Sequence, residues 1–128
     1  MAIYMITGTD VSGGHSVSIL DALRRSIDNS KLMQCAMHGP DYEHIEHAEG
    51  FYLATLGGAQ VMGMEEKIGN FIVGKEFDAL VITFDGEGPI DIFEVDSPSD
   101  IVEKLLYCGD DRNIAEVYVS GQKANTAL

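Results

Sequence analysis

Apolar residues recur along the first half of the chain with the spacing of one strand followed by helices. Residues 2–6 form an apolar run that predicts a buried strand. Ser16 or Ser18 can cap the helix that follows, and the pattern blurs at residues 29–31, where we expect that helix to bend or break before Pro40. Its apolar face is formed by residues at three- and four-residue intervals: Ile19, Leu20, Leu23 and Ile27.

A second helix is predicted from Tyr42 to the glycine pair at positions 57 and 58, with Asp41 as its cap. Its apolar face consists of Ile45, Ala48, Tyr52 and Leu56. A short helical turn is predicted after it, over residues 59–62.

From Ile68 onward the helical spacing gives way to short extended runs separated by glycine. Three strands are predicted, over residues 71–73, 79–84 and 90–95. The middle run is apolar enough to be covered on both faces. A short helix capped by Ser99 is predicted to run through Tyr107, and residues 117–123 predict a closing hairpin. The pattern predicts an α/β chain whose second half is rich in β-structure.

The stretch between the predicted first strand and first helix contains a carboxylate among glycines. Gly8, Gly13 and Gly14 allow a tight backbone, and Asp10 follows the carboxyl end of the strand. In α/β folds, ligands bind and catalytic side chains collect at that end of the sheet. Asp10 is therefore either a site residue or a turn-forming or capping residue. His15 follows the same loop and either lines its pocket or orients it.

The charge balance excludes several classes of partner. Eight basic and 21 acidic residues give a net charge of −13, which repels nucleic acid and anionic membranes. The 128 residues suffice for one modest domain, and no apolar run approaches the length of about 18 residues that spans a bilayer. With no targeting segment recognised, we expect a soluble, cytoplasmic chain. Cys35 and Cys108 lack the paired spacing of a zinc or redox motif, which favours two reduced thiols.

Two further polar segments have a structural interpretation beside a functional one. His44 and His47 lie three residues apart on the second predicted helix, close enough to share a metal ion. Their spacing is not that of a His-Glu-x-x-His motif, so a solvated helix face is the simpler interpretation. Residues 109–113 form either a turn with an Asp–Arg contact between helix and strand or a contact with a partner subunit.

Four stretches of the chain match a known family in the same order: residues 8–14 (GTDVSGG), 54–60, 68–79 and 106–119. They resemble guanine deaminases, members of the metal-dependent amidohydrolase superfamily, and the first of them resembles the segment after the last barrel strand. The pattern at residues 74–78 is shared across amidohydrolases, whereas residues 109–114 resemble guanine deaminases specifically. The resemblance extends over residues 6–123.

The resemblance also implies a fold. Residues 1–63 would be the C-terminal end of an amidohydrolase TIM-type barrel, with its last β/α unit and helices. Residues 64–128 would be a small C-terminal β-rich region of the composite β-sandwich type. A parallel barrel of this type closes only with about eight strands, of which this chain would supply the last. The resemblance therefore implies an incomplete barrel and the C-terminal segment of a longer enzyme.

The chemistry that the resemblance implies is zinc-dependent hydrolytic deamination of guanine to xanthine and ammonia. Asp10 would be the catalytic carboxylate and a metal ligand, and Ser12 and His15 are candidates for lining the substrate pocket. The family's other metal ligands, an early His-x-His pair and later histidines, have no counterpart in this sequence, whereas catalytic zinc takes about three protein ligands. We therefore expect the isolated chain to be inactive. The resemblance also implies that the full-length enzyme is a homodimer.

Two other functions stay open at this stage. The first is a non-catalytic α/β module, derived from an amidohydrolase, that serves folding or dimer interaction. The second is part of an amidohydrolase that acts on a different ring. Residues 109–114 argue against the second, because their pattern belongs to a narrower group of proteins than the superfamily pattern does.

Overall fold

Short helices and a small antiparallel sheet form the part of the chain that this computed structural model describes, residues 7–38, 41–84 and 88–124. The helices are α1 (Ile19–Met33), α2 (His47–Leu53), α3 (Leu56–Val61) and α4 (Pro98–Cys108). The strands are β1 (Ala79–Ile82), β2 (Ile114–Val119) and β3 (Gln122–Lys123). A π-helical turn, Gln34–His38, continues α1, and a 3-10 turn, Asp111–Asn113, precedes β2. Within these residues, no helix has the length and apolar character needed to cross a membrane.

Helix α1 begins where the sequence predicts. The Ser18 hydroxyl caps it by accepting a hydrogen bond from the amide N–H of Asp21, at 3.4 Å. The helix continues through residues 29–31, where Ser30 is buried and its hydroxyl accepts the amide N–H of Ile45 at 2.9 Å, and it changes to the π-helical turn at Gln34, before Pro40 as predicted. The predicted strand at residues 2–6 lies outside the described residues.

The second predicted helix starts later than the sequence indicates. Helix α2 begins at His47 rather than Tyr42, so Asp41 does not cap it. An earlier start would need backbone N–H and C=O groups of residues 42–45 for helical hydrogen bonds. Side chains of the preceding helical segment already bond to two of these groups. The Gln34 amide donates to the Tyr42 carbonyl, and the amide N–H of Ile45 is already bonded to α1. These local bonds compete with helix formation at residues that would otherwise continue it.

The glycine pair does not end this helical region as predicted. Gly57 and Gly58 lie inside α3, and the chain instead breaks at Thr55, whose hydroxyl donates to the Phe51 carbonyl at 2.8 Å. A Cβ atom on Gly57 would lie 3.1 Å from the Tyr52 carbonyl oxygen. Glycine therefore serves here to let α2 and α3 approach closely rather than to cap a helix.

The three strands pair in the order β1-β2-β3, all antiparallel. Ala79 pairs with Tyr118, and the register shifts between Val81 and Ile82, where β2 has one extra residue. The predicted hairpin is confirmed, because β2 and β3 are joined through Ser120 and Gly121. Their φ angles of 49° and 76° suit a two-residue turn of type I′, which matches the twist of the flanking strands.

Two of the predicted strands do not form. Residues 71–73 and 90–95 are not strands, because neither is paired with a neighbouring strand of the described sheet. Within the second segment the chain turns, and the Asp96 carboxylate accepts the amide N–H of Phe93 at 2.8 Å. Strand β1 forms but is shorter than predicted and not covered on both faces, since Leu80 is 55% exposed.

One small core lies where α1, α2 and α4 meet. Leu23 and Ile27 of α1 and Leu106 of α4 are buried against one another. Gly50 of α2 brings its backbone onto the first two, because a Cβ atom there would lie 3.3 Å from Leu23 and from Ile27. Close packing at this point holds the three helices together.

Much apolar surface stays uncovered outside this core. Val73 is 100% exposed, and Val17 and Phe71 are exposed as well. Ile19, which the sequence assigns to the apolar face of α1, is also exposed. The described part of the chain therefore does not enclose its own apolar faces in one complete core.

Arg24 joins α1 to the C-terminal end of α4. Its Nε donates to the Leu106 carbonyl at 2.7 Å, and a second guanidinium nitrogen donates to the Gly109 carbonyl. The C-terminal carbonyls of a helix have no partners within the helix, and a cation complements the negative end of its dipole. Arg24 supplies both the donors and the charge.

At its N-terminal end, α4 is capped by Ser97 instead of the predicted Ser99.

The turn between α4 and β2 contains the predicted Asp–Arg contact. An Arg112 guanidinium nitrogen lies 2.6 Å from the Asp110 carboxylate, and this hydrogen bond lowers the pKa of Asp110 from its ordinary value. Asn113 is buried; its side-chain amide donates to the Thr83 carbonyl and accepts the amide N–H of Asp110, both at 3.1 Å. The turn is thereby fixed to the end of β1. Its role as a partner-subunit contact stays a prediction.

We expect Arg24→Met to lower the free energy of unfolding by about 2 kcal/mol, because hydrogen bonds from a charged group contribute about 1.5–3 kcal/mol and the methionine keeps only the apolar stem. Urea unfolding of the full chain measures the change. Arg25→Met is the matched control: it removes an exposed pair with Asp21 and should cost less than about 1 kcal/mol. Equal losses in the two variants would contradict the capping role of Arg24.

Candidate active site

The loop before α1 closes on the carbonyl of Asp10. The amide N–H of Gly13 donates to that oxygen at 2.9 Å, and the amide N–H of Gly14 donates to it as well. Asp10 and Ser12 have φ angles of 48° and 83°, in the left-handed region that residues with side chains rarely adopt. Such backbone strain persists only where the surroundings hold it, and it clusters at functional sites.

Two of the three glycines are required by close approach to the loop's own atoms. A Cβ atom on Gly13 would lie 2.7 Å from an oxygen of the Asp10 carboxylate, so this carboxylate rests against the Gly13 backbone. A Cβ atom on Gly14 would clash with the Thr9 carbonyl oxygen. Gly8 has nothing within 4 Å of the same position. The predicted tight backbone is confirmed for the glycine pair.

The Asp10 side chain is exposed, beside exposed Val11 and Ser12. The capping interpretation of Asp10 is wrong for α1, because Ser18 is the cap. The turn-forming interpretation holds for the Asp10 carbonyl. The carboxylate takes no part in that turn's hydrogen bonds, and its role as a site residue stays a prediction.

His15 faces the first turn of α1. Its Nε2 lies 3.6 Å from Oδ2 of Asp21, and Nε of Arg25 lies 3.1 Å from the same oxygen. Asp21 has a lowered pKa, first because Arg25 donates a hydrogen bond to it and further because Ser16 does. Asp21 therefore carries a negative charge at neutral pH.

These contacts add two residues to the site that the sequence did not single out, Asp21 and Arg25. Their four-residue spacing on a predicted helix would have allowed the sequence to predict a surface ion pair. The approach of His15 to that pair cannot be predicted from the sequence, because it depends on the path of the loop.

Beside these groups is an open groove of about 270 Å³, whose lining includes Thr9, His15 and Asp21 but neither Asp10 nor Ser12.

The two histidines of the predicted metal pair have separate partners. His44 precedes α2 rather than lying on it, and its Nδ1 is 3.0 Å from Oε1 of Gln34. His47 begins α2, and its Nδ1 is 3.8 Å from Oε1 of Glu103 on α4. The prediction that both lie on one solvated helix face is therefore wrong, because each is half-buried against a different segment.

The described residues do not bring together the ligands of a catalytic zinc ion. Across residues 7–38, 41–84 and 88–124, no group of three or more His, Cys, Asp or Glu side chains lies close enough to hold one ion. Asp10 contributes one carboxylate, whereas catalytic zinc takes about three protein ligands and a water. The donors present do not fit a complete zinc site.

Comparison with known proteins supports the resemblance found in the sequence. Guanine deaminase from Mus musculus is 48% identical over 121 residues, which is 91% of this chain and 26% of that protein. Guanine deaminase from Escherichia coli K12 is 35% identical over 118 residues, 90% of this chain and 25% of that protein. The predicted resemblance to guanine deaminases is confirmed, and the chain spans about a quarter of the length of these relatives.

The fold is similar to that of solved guanine deaminases. The crystal structure of the C. acetobutylicum enzyme with bound guanine matches with a TM-score of 0.78 and 35% identity, over 92% of this chain and 26% of that one. The Escherichia coli structure matches with a TM-score of 0.76 and 30% identity, over 95% and 27%. The Amidohydrolase family model matches residues 2–124, nearly the whole sequence. The chain therefore belongs to the amidohydrolase family.

Proposed function

We propose that this chain forms part of an enzyme that hydrolyses guanine to xanthine and ammonia. The observation that carries the proposal is the 48% identity to a guanine deaminase over 91% of the chain. In this reaction the oxygen of water bonds to C2 of the ring, and the bond from C2 to the exocyclic nitrogen breaks as ammonia leaves. A carboxylate near C2 assists by accepting a proton from the attacking water.

Asp10 is the carboxylate that we assign to this role. Three features support the assignment: its side chain is exposed, its backbone is strained, and its carboxylate is placed against Gly13 rather than used in the turn. Ser12, which shares the strained turn, and His15, which borders the adjacent groove, are the proposed contacts with the substrate. Asp10 is also the one metal ligand that we assign to this chain.

The fold we propose for the longer protein is a barrel that this chain helps to complete. Residues 1–63 would form the end of a TIM-type barrel, and residues 64–128 a small β-rich domain. Exposed apolar residues near the site, such as Val17 and Ile19, support this because a barrel buries such side chains against neighbouring units. Zinc would then require ligands from outside the described residues. A homodimeric state and a cytoplasmic location stay predictions.

We expect the isolated chain neither to retain zinc tightly nor to deaminate guanine, because its described residues assemble too few ligands for one ion. Metal analysis after dialysis, together with a xanthine assay, measures both properties. Stoichiometric zinc with guanine turnover in the isolated chain would contradict this expectation.

The role of Asp10 can be tested in a chimera in which this chain replaces the 121 matching residues of mouse guanine deaminase. We expect the chimera to deaminate guanine and Asp10→Asn to lower kcat by about 10²–10⁴-fold with a smaller change in KM, because a general base acts mainly in the transition state. His44→Ala with His47→Ala is the control and should leave kcat nearly unchanged. An active chimera that tolerates Asp10→Asn would instead favour the non-catalytic module.

The placement of the carboxylate can be tested in the same chimera by Gly13→Ala. The added methyl group would meet the Asp10 carboxylate at 2.7 Å and push it from its position. We expect kcat to fall at least about tenfold, since small misplacements of catalytic groups reduce rates strongly. Gly8→Ala adds the same methyl group where nothing lies within 4 Å and should keep the parent kcat. Similar rates for the two variants would show that the Gly13 contact is unimportant.

A further inference from the structure

We propose that Asp21 is a positioning residue that holds His15, and through His15 the loop that carries Asp10. Two side chains meet at one carboxylate oxygen of Asp21: Nε of Arg25 donates to it at 3.1 Å, and Nε2 of His15 lies 3.6 Å from it. His15 belongs to the loop, so its contact with Asp21 ties the loop to the first turn of α1. The catalytic consequence rests on the function proposed for Asp10.

The connection from His15 to Asp10 runs through a short, closed backbone. His15 directly follows Gly14, and the amide N–H groups of Gly13 and Gly14 both donate to the Asp10 carbonyl. A movement of His15 away from α1 therefore pulls on the amides that close the turn. Because Asp10 and Ser12 lie in the left-handed region, the turn needs an external contact to keep its conformation.

The charges favour this contact. The Arg25 hydrogen bond lowers the pKa of Asp21, so the carboxylate is ionised at neutral pH and presents a negative charge to the His15 ring. Arg25, four residues along the helix, donates to the same Asp21 oxygen and orients the carboxylate.

A purely structural role for Asp21 makes a different prediction. An acidic residue in the first turn of a helix stabilises that helix by about 0.3–1 kcal/mol through the dipole, and Asp21→Asn would then weaken α1 without a specific effect on the loop. The two roles are separated by measuring hydrogen exchange at the Gly13 and Gly14 amides, which report the turn, and at the amides of α1, which report the helix.

The experiment measures hydrogen exchange in the full chain. We expect His15→Gln and Asp21→Asn each to lower the protection of the Gly13 and Gly14 amides by roughly two- to fivefold, the range for exposed ion pairs. The double variant should lose no more than either single variant, because both remove the same contact. Ser26→Ala changes a residue that lines the same groove but bonds the Leu23 carbonyl, and it should leave the loop amides unchanged.

Unchanged protection in Asp21→Asn, or losses that add in the double variant, would overturn the inference. In the chimera with the mouse enzyme, Asp21→Asn should lower kcat more than it changes KM, and Asp21→Glu should restore part of the loss. An inactive chimera would contradict the proposed function and leave the exchange result to decide the positioning role. An active chimera whose kcat is unchanged by Asp21→Asn would overturn the catalytic consequence.

Discussion

The guanidinium of Arg24 is the contact on which the arrangement of this chain most depends. It reaches from α1 to the Leu106 and Gly109 carbonyls, and so joins segments that lie more than eighty residues apart in sequence. Leu106 is buried beneath the same contact against Leu23. Because α4 leads through Gly109 into the turn at Asn113 and then into β2, the position of its last turn also sets where the sheet lies. One ionic cap therefore links the helical core to the strands.

The loop at Asp10 combines strain with close packing. Its turn closes on a backbone carbonyl, two non-glycine residues adopt left-handed conformations, and the Asp10 carboxylate occupies the space that a Cβ atom on Gly13 would need. Conflict between local preference and observed conformation is expected at functional sites, where it is tolerated for the sake of geometry. Asp21, at the start of a stable helix, is well placed to supply the external constraint that this turn requires.

The small size of the core is consistent with the length of the relatives. The relatives are about four times as long as this chain, and the described residues leave large apolar side chains such as Val73 uncovered. Burying apolar surface is the main favourable term in folding, so these faces are most simply explained as surfaces for further parts of a longer protein. Within the described residues, no group of three or more His, Cys, Asp or Glu side chains could hold a metal ion.

The sequence by itself determined those features whose partners lie within a few residues along the chain. These are the apolar face of α1 apart from Ile19, a serine cap before α1, the hairpin at residues 117–123, and the glycine-rich turn at Asp10. The tertiary structure decided the rest. Helix α2 starts late because side chains of α1 and of the π-helical turn after it bond the backbone groups before α2, and the predicted strands at 71–73 and 90–95 fail for lack of a neighbour. The Asp21 contact with His15 also depended on the path of a loop. Competition for hydrogen-bond partners between distant segments leaves no periodicity in a sequence, and that is the physical reason for the division.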